Sequence, residues 1–254
     1  MTSIILNGAN GKMGKKLAEI INSNPSKFKI VLGVDSNCVS NNYNFKIEKN
    51  FPEDVNADVI IDFSHPNALE KLLNFATTKK IPLVVATTGY SEDQISKIKY
   101  ASTRIPIFFS FNMSLGVNLL ISLVKKANNV LKGCFDIEII EKHHNQKIDA
   151  PSGTALMIAN SINEESDEKY EYIYNRQNVR EKRKPNEIGI HSIRAGTIVG
   201  QHEVIFSGND EIITLSHTAT SKNIFATGAI KAAEFIKNKK PNLYTMKDLV
   251  NFKI

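Results

Sequence analysis

A chain of 254 residues, 42% hydrophobic and 23% charged, has the composition of a folded protein, long enough for one large domain or two modest ones, which excludes a disordered tail or a fibre. Its formal charge of +6 rests mostly on scattered lysines, and the densest basic run, Arg180-Glu181-Lys182-Arg183-Lys184, lacks the interleaved aromatics of a single-strand groove, so no nucleic-acid partner is expected. Cys38 and Cys134 form neither a C-x-x-C pair nor a disulfide framework and no secretory leader precedes Ile4, so a reducing cytoplasm is the expected setting.

The first half alternates short apolar runs with amphipathic ones, the rhythm of βα units around a parallel sheet. Ser3–Leu6 is a first strand, followed by a glycine-rich turn from Gly8 to Gly14. The next helix places Met13, Leu17, Ile20 and Ile21 on one face. Phe28–Val34 is a second strand ending at Asp35, and the Asn-rich residues 36–56 suggest a loop with one short strand. Asp58–Asp62 is a third strand, Asn67–Lys79 a helix entered through Pro66, and Pro82–Thr87 a fourth strand. Ser91 and Gln94 have capping-box spacing for a helix running to about Ala101, and Pro106–Phe111 is a fifth strand.

The residues from Ile105 to Val124 carry no charge, nominally enough to span a membrane. Pro106, Asn112, Gly116, Asn118 and three serines interrupt them, so a buried strand feeding a helix is expected and no membrane association. The pattern then changes: helix Ser114–Leu131, strand Phe135–Glu141, a helix from Pro151 and Ser152 to Asn163, then strands Ile188–Arg194, Thr197–Phe206 and Glu211–His217. Strands in succession without helices imply an antiparallel or mixed sheet. Polar residues 164–187 read as a long mobile loop, and a last helix, Lys222–Lys237, returns to the earlier pattern. The expected fold is α/β: a Rossmann-like doubly wound parallel domain (1–113 and 222–254) with an inserted α+β domain (114–221).

The glycine turn lies between a strand and an amphipathic helix, as a dinucleotide site requires. Glycines let a pyrophosphate approach the backbone, and the helix start supplies free N–H groups and a positive dipole end. The spacing G-x-x-G-x-x-G is a variant of the usual fingerprint and resembles a purely structural turn, but Asp35 follows Gly14 at about the 20-residue spacing of a ribose-binding acid. Ala86-Thr87-Thr88-Gly89 and Ser110-Phe111-Asn112-Met113, at the ends of the fourth and fifth strands, fit the same site or serve as ordinary turns.

The chemistry concentrates in Glu141-Lys142-His143-His144-Asn145-Gln146-Lys147-Ile148-Asp149-Ala150-Pro151-Ser152-Gly153-Thr154-Ala155. The N–H groups of Gly153 and Thr154, with the Ser152 and Thr154 hydroxyls, would hold a carboxylate. Lys147 adds a point charge, and a histidine can move protons near neutral pH. No cysteine or carboxylate pattern completes a metal site around the two histidines, and Ser152 reads as a helix cap and not a nucleophile.

This run, H-H-x-x-K-x-D-A-P-S-G-T-A, closely resembles the signature of the 4-hydroxy-tetrahydrodipicolinate (dihydrodipicolinate) reductases of the diaminopimelate route to lysine. The resemblance extends to the glycine turn, Ala86–Gly89, Asn112 with Ser114–Asn118, Arg194-Ala195-Gly196, Val199-Gly200 and Tyr244–Asp248. It implies that His143 donates a proton with Lys147 as a second donor, and that His144, Ser152, Gly153 and Thr154 bind a cyclic dicarboxylate. Gly8, Ala9, Asn10, Gly11, Lys12, Met13, Asp35, Ala86, Thr87, Thr88, Ser110, Phe111, Asn112 and Met113 would line the cofactor. A homotetramer joined through the second domain's sheets is likewise implied. Ser36 stands where some members carry arginine, so NADH is the expected cofactor, with NADPH possible. A related dehydrogenase of aspartate or a sugar, or a non-catalytic redox sensor, would keep the glycine turn without needing the 143–154 run.

Overall fold

Ile4, Ile5 and Leu6 are fully buried because their strand, β1 (Thr2–Asn7), lies at the interior of a parallel sheet covered on both faces. The computed structural model describes residues 1–38, 43–166, 168–177 and 179–250. The first sheet has seven parallel strands. They are β1, β2 (Phe28–Val34), β3 (Ile47–Glu48), β4 (Val59–Asp62), β5 (Leu83–Val85), β6 (Pro106–Phe109) and β12 (Asn242–Tyr244), in the order β12-β6-β5-β4-β1-β2-β3. The order reverses direction at β1, so the carboxyl ends of β1 and β4 flank a crevice of the kind ligands use.

Helix α1 (Lys12–Asn22) buries Leu17, Ala18 and Ile21 on one face of this sheet, beside α6 (Asn223–Ile236). Helices α2 (Leu69–Lys79) and α3 (Glu92–Ala101) cover the other face. Ser91 and Gln94 form the expected capping box, each side chain bonding the other's backbone N–H. Pro66 enters a 3-10 turn, Pro66–Ala68, and the α-helix starts only at Leu69. The expected single short strand after Asp35 is β3; residues 39–42 of that stretch lie outside the described residues.

The tightest steric demand is at the glycine turn. Gly8 has φ of +81°, and a Cβ there would meet the Phe63 carbonyl oxygen at 2.3 Å. On Gly14 a Cβ would stand 2.1 Å from the Gly8 oxygen and 2.6 Å from that of Ala9. Gly14→Ala is expected to cost at least about 1–3 kcal/mol by overpacking against backbone that cannot rotate away. Thermal unfolding reads this directly, and a variant melting with the wild type would mean that the turn can open.

The second sheet contains β7 (Asp136–His143), β8 (Glu171–Ile173), β9 (Glu187–Arg194), β10 (Gly200–Ser207) and β11 (Ile212–Ala219), in the order β11-β10-β7-β9-β8. Strands β10 and β11 pair antiparallel with each other and β10 with β7, whereas β7, β9 and β8 run parallel, so the sheet is mixed as expected. Helices α4 (Leu115–Leu131) and α5 (Gly153–Glu164) pack Leu120, Val124, Ala155, Ile158 and Ile162 against Ile137, Ile139, Ile190, Val204 and Phe206. The chain forms two units, Met1–Leu115 with Asn223–Ile254, and Gly116–Lys222.

Four details differ from the sequence reading. The strand expected from Thr197 begins at Gly200, because Ala195–Val199 turns the chain around Gly196, whose φ is +46°. Helix α5 begins at Gly153 and not at Pro151, with Ser152 as its cap. Residues 164–187 are not a bare loop: β8 lies there, and Arg183 bonds Asp136 and Glu138 and donates to the Ile137 and Glu187 carbonyls. Part of the basic run is therefore internal structure. Strand β12 and the short α7 (Met246–Leu249) lie beyond the last expected helix. Among the described residues no helix is long and apolar enough to cross a membrane.

Candidate active site

In the first unit, Gly8, Gly11, Asp35 and Ser36 line a cavity of about 790 Å³ with Phe63, Ser64, His65, Lys49 and Lys71. An adjoining cavity of about 640 Å³ is lined by Met13, Ala86, Thr87 and Thr88 and shares Phe63, Ser64, His65 and Asn67. Half-buried Asp35 is aimed by two backbone donors: the Asn10 N–H reaches Oδ2 and the Asn37 N–H reaches Oδ1, both at 2.9 Å. The remaining expected cofactor residues lie off these cavities. Ala9 and Met113 are in the core, Phe111 is 56% exposed, and Asn112 is buried, its Oδ1 accepting from the Ser114 N–H.

Sequence reasoning applied the carboxyl-end rule to the fourth and fifth strands but missed Phe63-Ser64-His65 after the third. It also missed what supports them. Asp62 is fully buried at the end of β4 and accepts hydrogen bonds from Asn7 Nδ2, Ser64 Oγ, Thr87 Oγ1 and Tyr90 OH. Burial raises its carboxyl above the ordinary range against those four bonds. The network ties the ends of β1, β4 and β5 together beneath the cavities.

In the second unit, β7 alternates its side chains across the sheet, which puts Ile137, Ile139, Glu141 and His143 on the face toward α4 and α5. His143 Nδ1 lies 2.5 Å from Glu141 Oε2. Arg194, at the end of β9, donates to both Glu141 oxygens, Nη1 at 2.9 Å and Nη2 at 2.7 Å. The Ser152 N–H donates to Glu141 Oε1 at 3.1 Å. Glu141 has no exposed surface; burial alone would raise its carboxyl, but bonds from Arg194, His143 and Ser192 bring it down to about 2. Burial lowers His143 below the ordinary imidazole value, Lys147 and Arg194 add to this, and Glu141 opposes it.

With Nδ1 engaged by Glu141, Nε2 is the ring nitrogen left for proton transfer, and it lies beside Gly200, where a Cβ would stand 3.1 Å away. Lys147 Nζ bonds both Asp149 oxygens, at 2.7 and 2.8 Å. Ser152 caps α5 by accepting from the Ala155 N–H, and its Oγ lies 3.0 Å from His202 Nε2. Burial, with His143, His217 and Lys147 nearby, lowers His202 to about 4, so it is a neutral structural neighbour of the His143 ring at 5.2 Å. Gly153 is exposed with nothing within 4 Å of its missing Cβ, and its N–H donates to the Asp149 carboxylate, so the positive end of α5 already faces an anion.

Thus His143, Ser152 and the start of α5 are joined by direct contacts, with Glu141 at the centre. Glu141, Asp149, Arg194 and His202 had received no role from the sequence. The available signal for Glu141 was its i, i+2 relation to His143 on one strand face.

Residues 2–113 match the family model for dihydrodipicolinate reductase, N-terminus, and residues 116–250 that for its C-terminus. The chain belongs to the dihydrodipicolinate reductase family. It is 55% identical over 251 residues to the 4-hydroxy-tetrahydrodipicolinate reductase of Caldanaerobacter subterraneus subsp. tengcongensis, covering 98% of both chains. It is 48% identical to that of Clostridium novyi over the whole of both. The fold matches dipicolinate-bound dihydrodipicolinate reductase from Paenisporosarcina sp. TG-14 with a TM-score of 0.80, at 22% identity over 96% of this chain and 97% of that one. The resemblance carried by the His143–Ala155 run therefore holds across the whole dihydrodipicolinate reductase chain, as does the expected architecture.

Proposed function

We propose that this protein reduces 4-hydroxy-tetrahydrodipicolinate to tetrahydrodipicolinate with a nicotinamide dinucleotide, in the diaminopimelate route to lysine. The observation that carries this reading is the joining of His143 to the start of α5 through Glu141, in a chain 55% identical to a named reductase over nearly its full length. The Met1–Leu115 unit, completed by Asn223–Ile254, would hold the dinucleotide, and the Gly116–Lys222 unit the substrate.

The first unit suits such a cofactor. The crowded glycine turn leaves backbone N–H groups at the start of α1 for a pyrophosphate, and the Asp35 carboxylate is oriented for ribose hydroxyls. When bound, the dinucleotide supplies the hydride. This chain's residues do the rest. The Gly153 and Thr154 N–H groups, at the positive end of α5, hold one substrate carboxylate in exchange for the Asp149 carboxylate that Gly153 holds in the free protein, and Lys147 and His144 face the ring and its second carboxylate. The 4-hydroxyl leaves as water, giving the unsaturated ring that accepts the hydride, and His143, as imidazolium, delivers the proton that completes reduction, with Lys147 as the second donor. An assay with freshly generated 4-hydroxy-tetrahydrodipicolinate and NADH tests this. Substrate-dependent oxidation of NADH is expected; its absence, or turnover of aspartate or a sugar instead, would overturn the assignment.

NADH is the proposed preferred cofactor. A 2′-phosphate would stand near the Asp35 carboxylate, with uncharged Ser36 beside it on the cavity wall. Lys49 and Lys71 line the same cavity and temper the penalty, so NADPH is used less well and not refused. Ser36→Arg is expected to move the ratio of kcat/KM values toward NADPH by about tenfold, which requires only about 1.4 kcal/mol. A ratio that stays put, or a wild-type lead for NADPH, would show that Asp35 does not set the choice.

A homotetramer is proposed through the outward face of the mixed sheet, where half-buried Ile140 and Ile205 accompany exposed Ile193 and Ile212. A cytoplasmic setting accords with two free, exposed cysteines.

A further inference from the structure

We infer that Glu141 is a positioning residue that sets the donor tautomer of His143 and the start of the anion-binding helix together. This rests on the functional reading above for what the two groups do, and on geometry for how they are joined. One Glu141 oxygen, Oε2, meets His143 Nδ1, and the other, Oε1, receives the Ser152 N–H just before α5. Arg194 closes the arrangement by donating to both oxygens and, through Nη2, to the Asp149 carbonyl at 2.6 Å. The segment carrying His144, Lys147 and Asp149 is thereby tied to the same carboxylate.

A buried carboxylate with these partners has no role as a surface charge. Ionised Glu141 is an acceptor only, so the proton between it and His143 resides on Nδ1. The neutral imidazole is then held with Nε2 as acceptor, and the imidazolium presents Nε2–H as donor, which is the form required for proton delivery. Removing the Glu141 charge leaves the ring facing Lys147, Arg194 and neutral His202 without a compensating anion, so His143 loses its proton at lower pH. A neutral amide keeps one acceptor oxygen where the carboxylate has two, so it cannot serve both the His143 Nδ1–H and the Ser152 N–H, and the start of α5 is loosened.

Three variants of the full-length protein test this: Glu141→Gln, Glu141→Asp, and Glu141→Gln with Arg194→Gln, which leaves no buried charge unpaired. Expected for Glu141→Gln is a fall in kcat of at least about 10²-fold, with the alkaline limb of the pH profile moved to lower pH. Weaker binding of pyridine-2,6-dicarboxylate, with NADH affinity unchanged, is expected alongside it. Glu141→Asp, which keeps the charge, should recover much of the pH limb. Nitrogen NMR of wild-type His143 adds a readout needing neither variant nor turnover: the neutral ring is expected as the Nδ1–H tautomer. An Nε2–H tautomer, or a folded Glu141→Gln protein or neutral pair with wild-type pH limb and dicarboxylate affinity, would overturn the proposal. An inactive wild-type protein with the Nδ1–H tautomer in place would overturn the assigned activity while supporting this role for Glu141.

Discussion

Replacing His143 with glutamine is expected to lower kcat by about 10²- to 10⁴-fold, the range for loss of a general acid, with KM within a few-fold of wild type. Glutamine can still bond Glu141 or a polar ligand, but it cannot release a proton. The proton donor is the imidazolium, and burial together with Lys147 and Arg194 holds its pKa in the free protein below the ordinary 6.5. The ratio kcat/KM, which reports the free protein, should therefore fall as pH rises through a value below 6.5. A bound dicarboxylate places negative charge beside the ring and favours imidazolium, so kcat should fall at higher pH than kcat/KM. Near-normal turnover by His143→Gln, or profiles without this ordering, would remove His143 from the mechanism.

Lys147→Ala is expected to damage both constants. In the free protein the ammonium is held by both Asp149 oxygens, so it is already placed as a point charge next to the start of α5. Loss of a charge-assisted bond to substrate costs about 1.5–3 kcal/mol, or about 10- to 10²-fold in KM. Loss of a second proton donor adds about 10²-fold in kcat. Lys147→Arg separates the two. Its planar fork can keep the Asp149 pair and most of the affinity, but guanidinium does not give up a proton in this range. Full activity in the arginine variant would mean that Lys147 contributes only charge.

Much of the architecture was legible because single segments carried their own physical signals. Ile4–Leu6 and Leu83–Val85 are uninterrupted apolar runs because their strands are buried on both faces. Ser91 with Gln94 marks a helix start by local capping chemistry, and Gly8 and Gly14 announce a backbone approach that no side chain could share. The short β3, β8 and β12 were less visible: two or three residues give no periodicity, and their pairing partners decide that they are strands.

The His143–Thr154 run named the chemistry because its residues lie within one strand, turn and helix start. What tertiary structure alone decided is which charges meet. Arg194 reaches Glu141 from 53 positions away, and only the parallel registration of β9 on β7 puts them side by side. Arg183, one of five residues in an outwardly basic run, turns inward because Asp136 and Glu138 wait at the start of β7. Asp62 shows no hydrophobic or polar pattern that foretells four side-chain donors, since those donors come from the ends of three strands and the turns beyond them. Local sequence determines which groups a segment offers, because propensity, capping and periodicity act over a few residues. Which of those groups is buried, paired or left facing a ligand depends on sheet order and register, and these are set by the core as a whole.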